Sequence, residues 1–151
     1  MKNSKSGSTG VAEIPAFATA LERLETSLAG QLVRPSDSSY DQARQVWNGA
    51  VNRYPALIVR CQTSRDVLLA VNFASDHSLP VSVRGGGHNT PGLAVRDDAL
   101  MIDLSAMKGL EVDPVRRVAR AEPGLTIGEF IRGLQPYGLM TTTGSFEGSV
   151  E

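Results

Sequence analysis

Leu79-Pro80-Val81-Ser82-Val83-Arg84-Gly85-Gly86-Gly87-His88-Asn89 is the stretch on which the fold of this chain turns. Leu79 to Val83 reads as a strand, and it delivers an arginine and three consecutive glycines. Glycines at a strand end leave a row of backbone N–H groups without Cβ shielding and reach positive φ angles that other residues resist. Such a nest of amides suits an anionic oxygen, typically that of a phosphate. The common nucleotide motifs do not fit. A Rossmann fingerprint spaces its glycines along the motif and opens a helix within it. Here Asn89, Thr90, Pro91 and Gly92 follow, which is turn chemistry. A Walker loop ends in Gly-Lys-Ser/Thr, and that ending is absent. On these residues alone the stretch is either a phosphate cradle of another kind or a tight glycine turn without a ligand. Arg84 adds charge to it or anchors it. His88 follows the glycines directly, within reach of whatever they hold, and a neutral imidazole serves as a base or forms a covalent bond. The bland alternative for a lone histidine is a surface or packing role. Asn89 orients His88 or takes the left-handed conformation that asparagine tolerates.

The pattern extends outward in both directions. Ala56-Leu57-Ile58-Val59 is an apolar run of strand length. Thr63 or Ser64 caps a following helix, with Asp66 in the first turn, where the helix dipole favours a negative charge. Val67, Leu68, Val71 and Ala74 make its expected apolar face, and it ends near Asp76-His77-Ser78. Strand, helix and strand form a βαβ unit, which favours a parallel pair with a right-handed crossover. Downstream, Ala99 to Leu104 is a third strand. Leu110 to Asp113 and Val115 to Glu122 read as two arms of a hairpin turning at Asp113-Pro114. Val118, with Arg117 and Arg120 beside it, suggests one buried and one solvated face. Pro123-Gly124 breaks this arm. Thr126 and Glu129 have capping-box spacing, Ile127, Phe130, Ile131 and Leu134 give the next helix its apolar face, and Gly138 closes it. Toward the N-terminus, Phe17, Leu21, Leu24 and Leu28 recur at helical spacing, with Gly30 as the stop. Gln31 to Ser39, with Pro35 and Asp37, reads as a loop. The expected class is α+β, a small mixed sheet with flanking helices.

Composition narrows the function classes. The chain has 151 residues, 15 Lys and Arg against 16 Asp and Glu, and a formal charge of -1. That balance provides no basic field for nucleic acid. Apolar residues make up 41% and charged residues 21%, which suits a folded chain. A single cysteine excludes an internal disulfide and a multi-cysteine metal site. With only two histidines beside it no metal is expected. No apolar run approaches the ~20 residues that span a bilayer, and no signal segment is visible. The expectation is a cytoplasmic chain with neither a membrane nor a nucleic-acid partner. Cys61 reads as a buried thiol. His77, near a helix C-terminus, is served by a dipole contact or by solvent. Trp47 and Tyr54 read as packing residues around the N-terminal strand. Asp103 reads as a solvated or turn-capping carboxylate, with a contact to the loop after its strand as the alternative.

Taken together, these stretches resemble the first part of the FAD-binding domain of the vanillyl-alcohol oxidase / p-cresol methylhydroxylase (PCMH-type) superfamily. The resemblance is nearest to the FAD-linked oxidases related to berberine bridge enzyme and 6-hydroxynicotine oxidase. It runs from Pro55 to Gly144 and is carried by Pro55 to Arg60, the helix from Asp66 to His77, Leu79 to Asn89 and Gly92-Leu93. It continues in Ile102-Asp103-Leu104-Ser105, Gly124-Leu125-Thr126 and Tyr137-Gly138-Leu139. Related FAD reductases of cell-wall synthesis usually lack the histidine, so His88 argues for the oxidase branch.

The resemblance implies a layout and an activity. Residues 1–12 are a disordered tail, residues 13–54 an N-terminal helix and lead-in, and residues 55–151 an incomplete PCMH-type FAD-binding domain. FAD is the implied cofactor, with Arg84, Gly85, Gly86, Gly87, His88 and Asn89 wrapping its pyrophosphate through backbone amides. His88 is the implied covalent attachment point, to the 8α-methyl group of the flavin. Thr143 and Gly144 match the start of the family's second FAD segment. Ser145, Phe146 and Glu147 stand where some members attach the flavin again through a cysteine, so one attachment is expected. The implied reaction is hydride transfer from a small organic substrate to flavin, with oxygen as acceptor. Family members continue with a glycine-rich segment and a substrate domain. This sequence therefore leads us to expect a truncated, catalytically incomplete form that binds flavin weakly and supplies no catalytic residue. The alternative is a non-catalytic FAD- or phosphate-binding module.

Overall fold

The computed structural model describes residues 13–142, so the expected tail over residues 1–12 and the Thr143-Gly144 pair lie outside the described residues. Its centre is a four-stranded sheet. Strands β2 (Leu57–Arg60), β3 (Val81–Arg84) and β4 (Leu100–Asp103) are parallel, and β1 (Gln31–Val33) runs antiparallel along β2. The order is β1-β2-β4-β3. The expected βαβ unit is present, but its two strands are not neighbours, because β4 lies between them. All four side chains of β4 are buried, and a strand with no solvated face belongs at the centre of a sheet covered on both sides. β1 lies inside the stretch expected as loop. At three residues it is too short to show a period, and it exists through its pairing with Ile58 to Arg60.

Two helices cover one face. In α1 (Glu13–Ser27), Leu24 is buried and Phe17, Ala20 and Leu21 pack beside it. The chain then crosses β2 closely at Gly30, where a Cβ would stand 1.9 Å from the Arg60 carbonyl oxygen. Helix α3 (Ser64–Asp76) starts with a reciprocal cap: the Asp66 N–H donates to the Thr63 hydroxyl, and the Thr63 N–H donates to the Asp66 carboxylate. The same carboxylate accepts from the N–H groups of Gln62 at 2.8 Å and Ala29 at 2.9 Å, so it ties the end of α1 to the start of α3. Burial pushes the Asp66 carboxyl up, but these hydrogen bonds outweigh it and hold the group below its ordinary value.

The buried face of α3 agrees with the expected one in part. Val67 and Ala74 pack against the core, as expected, together with Ala70 and Phe73, whereas Leu68 and Val71 are exposed. Two overlapping stripes satisfy helical spacing here, and burial against the sheet selects the one that includes Ala70, Phe73 and Ala74. His77 is neither free in solvent nor a simple dipole partner. Its ring packs 4.4 Å from Phe73 and edge-on to Phe17 at 5.0 Å. Cys61 is fully buried, and burial pushes its thiol up to about 12. On the opposite face of the sheet, Val33, Ile58 and Met101 pack with Val95 and with Tyr40 and Ala43 of α2 (Tyr40–Ala43). The Tyr40 hydroxyl donates to the Pro55 carbonyl at 2.7 Å.

A second region follows. β5 (Leu110–Asp113) and β6 (Val118–Ala121) form the expected antiparallel hairpin. The Asp113 carboxylate accepts from the N–H groups of Val115 and Arg116 in the turn, and Arg117 takes φ 56°. The two-faced expectation for β6 does not hold: Val118 is 57% exposed and no residue of the strand is buried. α4 (Ile127–Leu134) has the capping box, and a 3-10 turn over Gln135–Tyr137 ends at Gly138 with φ 64°. Glu129 also accepts from Lys108 at 2.6 Å, and this bond together with the Thr126 groups lowers its carboxyl to about 2.

Candidate functional site

The site is built at the carboxyl ends of the parallel strands. The sheet register places Arg60, Asp103 and Arg84 side by side on β2, β4 and β3. The Arg84 guanidinium meets the Asp103 carboxylate twice, Nη2 to Oδ2 at 2.5 Å and Nε to Oδ1 at 3.2 Å. Its Nη1 donates to the carbonyls of Ala43 and Gln45, both at 2.6 Å. Arg60 Nε stands 3.4 Å from Asp103 Oδ2. Arg84 is thus an anchor, with its hydrogen-bonding face spent inside the chain. Asp103 has no solvent exposure, so the expectation of a solvated carboxylate is corrected: it is a buried counter-ion, and it also accepts from the Ser105 N–H at 3.1 Å. Its partner lies across the sheet, which a linear sequence does not display. Burial pushes the Asp103 carboxyl up, and the Arg84 hydrogen bonds and charge bring it below its ordinary value. Two guanidiniums on one carboxylate leave a positive excess beneath the turn that follows.

That turn is the glycine stretch. Gly87 adopts φ +72°, a conformation that favours glycine. The Trp47 N–H donates to the Gly87 carbonyl at 3.2 Å, and Asn48 Nδ2 donates to the Thr90 carbonyl at 2.9 Å. The N–H groups of Gly85, Gly86, Gly87 and His88 donate to no acceptor among the described residues. Gly85 and Gly86 line an open hollow of about 250 Å³, bounded by residues 45–47 on one side and by Ser105, Lys108 and Thr126 on the other. Gly124 also lines it, and a Cβ there would stand 2.4 Å from the Leu104 carbonyl oxygen, which brings the two loops into close contact. Consecutive unengaged amides with no Cβ at the glycines suit an anionic oxygen such as that of a phosphate.

The remaining expected residues fall into place around this turn. His88 is half-buried, its ring edge-on to Trp47 at a centroid distance of 6.0 Å. Asn89 neither bonds to His88 nor takes the left-handed conformation. Its side chain accepts from the Leu93 N–H at 3.0 Å and its carbonyl from the Gly92 N–H at 2.9 Å, so it closes the next turn by competing for local backbone donors. Trp47 and Tyr54 are not packing residues: Trp47 is 70% exposed, and Tyr54 is an exposed ring with the Arg44 guanidinium 4.1 Å over it. The sequence offered no periodicity around Trp47 to mark its place; its signal was the neighbouring Asn48, which ties the segment to the turn. Among the described residues no group of three or more His, Cys, Asp or Glu side chains is arranged to hold a metal ion. No described helix is long and apolar enough to cross a membrane.

Comparison with known proteins identifies the cradle's family. The family model of the FAD binding domain matches residues 55–150. The chain belongs to that family. It is 35% identical over 118 residues to (R)-6-hydroxynicotine oxidase of Paenarthrobacter nicotinovorans, covering 78% of this chain and 26% of the relative. It is 36% identical over 121 residues to an FAD-linked oxidoreductase of Bacillus subtilis, covering 80% and 27%. Among solved structures, 6-hydroxy-D-nicotine oxidase from Arthrobacter nicotinovorans superposes with a TM-score of 0.79 at 33% identity, over 82% of this chain and 27% of that one. The chain spans about a quarter of the length of the curated relatives it matches. The α+β FAD-binding fold, the FAD-linked oxidoreductase branch and FAD as cofactor, all implied by the resemblance, are shown.

Proposed function

We propose that this chain supplies the pyrophosphate-binding turn and the attachment histidine of an FAD-dependent oxidoreductase of the oxidase type. The observation that carries this reading is the run of unengaged amides from Gly85 to His88 above the Arg84–Asp103 anchor. In this reading Gly85, Gly86, Gly87 and His88 bind the pyrophosphate through N–H groups. Arg84 fixes the strand end from which the turn hangs, and Asn89 closes the turn behind it. His88 holds the flavin through a bond to its 8α-methyl group, and Thr143 and Gly144 extend the site. Residues 55–151 are the N-terminal portion of the FAD-binding domain, with residues 13–54 as its N-terminal helix and lead-in. FAD, when bound, would supply hydride-acceptor chemistry toward a small organic substrate, with oxygen as the terminal acceptor. The enzyme acts in the cytoplasm on a small molecule and has no nucleic-acid partner.

A second reading is a module that binds FAD without turnover; among the described residues, the lining of the hollow includes no carboxylate or imidazole. Acid precipitation after expression with FAD tests the attachment. The wild-type pellet is expected to stay yellow and the His88→Ala pellet to be colourless; an equally yellow variant pellet removes His88 from the role. Titration with FAD tests the cradle, and oxygen consumption with candidate amines and alcohols separates the oxidase from the module.

A further inference from the structure

Trp47 is the observation the cradle alone does not explain. It is the sole tryptophan of the chain, it is 70% exposed, and it lines the same hollow as Gly85 and Gly86. A large indole left in water forgoes the burial that normally places such a side chain in a core or an interface. Its position is nevertheless fixed by the backbone. Arg84 holds the carbonyls of Ala43 and Gln45, the Trp47 N–H is bonded to the Gly87 carbonyl, and Asn48 holds the Thr90 carbonyl. The segment from residue 43 to 48 is therefore laced to the turn from residue 84 to 90. The indole meets His88 edge-on, with an interplanar angle of 77°.

We propose that Trp47 is a cofactor-binding residue: its exposed indole is the aromatic wall of the hollow and packs against the flavin end of FAD beside His88. This rests on the assignment of the glycine turn and His88 to FAD. Among the described residues that line the hollow, Trp47 is the only one with an aromatic side chain. The unengaged amides suit the anionic centre of the dinucleotide, and the indole next to His88 suits the planar ring system that must reach that histidine. Covering the indole with the ring removes apolar surface from water on both partners.

The test uses the full chain with Trp47→Phe, Trp47→Ala and His88→Ala variants, titrated separately with FAD and with ADP, which lacks the flavin. Trp47→Ala is expected to weaken FAD roughly threefold to tenfold, in line with the loss of one aromatic pair. Trp47→Phe is expected to restore most of that loss. ADP affinity and the urea midpoint of the free chain are expected to stay at wild-type values in both. Unchanged FAD affinity in Trp47→Ala overturns the proposal while leaving the cradle intact. Equal losses for FAD and ADP also overturn it, because the indole would then be building the turn. If the wild-type chain binds neither FAD nor ADP, the cradle assignment itself fails and this proposal fails with it. The same titrations are run in the His88→Ala background, where no covalent bond forms; a roughly threefold to tenfold loss of FAD affinity on adding Trp47→Ala is expected there too, and no loss overturns the proposal.

Discussion

β4 and β6 are both four-residue strands, and they live in different surroundings. Every side chain of β4 is buried, and none of β6 is. Around β4 the chain supplies its own cover, with α1 and α3 on one face and α2 with Val95 on the other. Around β6 the apolar side chains Val115, Val118 and Met140 stay in water. The second region is held mainly at its ends. The Thr126–Glu129 box starts α4, Lys108 reaches Glu129, and the Glu122 carboxylate accepts from the Gly109 N–H at 2.6 Å. The difference teaches where the turn gets its rigidity. The amide row hangs from the well-covered region, so its geometry depends on a buried ion pair and not on the hairpin.

The largest effect should come from breaking that ion pair. Asp103→Asn leaves Arg84 buried without its counter-charge and is expected to cost about 3–5 kcal/mol in urea denaturation. The sign with pH follows from the depressed carboxyl. Its contribution is complete above the ordinary carboxylate range and is lost as pH falls through the lower folded value. Wild-type stability should therefore decline in acid more steeply than that of the variant. A cost under about 1 kcal/mol would place the pair among weakly contributing exposed ones and break the contrast.

Next in size is a pair of truncations. Ile102→Ala in β4 should cost about 2–5 kcal/mol, and Val118→Ala in β6 should stay within about 0.5 kcal/mol. Similar values at the two sites would mean that the hairpin is packed in solution. The smallest is Thr126→Ala, expected to cost about 1 kcal/mol through loss of the cap. Because the Glu129 carboxyl lies at about 2, the wild-type box should persist in acid well below the range where free carboxylates protonate. Helical circular dichroism between pH 2 and 5 reads that persistence.

Local chemistry was legible in the sequence, and long-range pairing was not. The Thr126–Glu129 box is spelled out by its spacing, and Thr63 is one of two cap candidates that stand just ahead of Asp66. The glycine turn announces its amide row because the donors are consecutive. The central position of β4, the existence of β1 and the burial of Asp103 all depend on partners across the sheet. The face of α3 is only half legible, because residues 67–74 hold two overlapping apolar stripes and the sheet chooses between them. Trp47 carries no local pattern that tells a packed indole from one that lies beside a turn and faces water.

The strand order also sets a timetable. β2 and β3 precede β4 in the chain, yet each is hydrogen-bonded to β4 and not to the other. During synthesis, a chain that has made the glycine turn but not residues 100–103 has no parallel pair. It also has no carboxylate to receive Arg84. The turn emerges well before the strand that fixes it, so a nascent chain at that stage has the glycines but not the cradle.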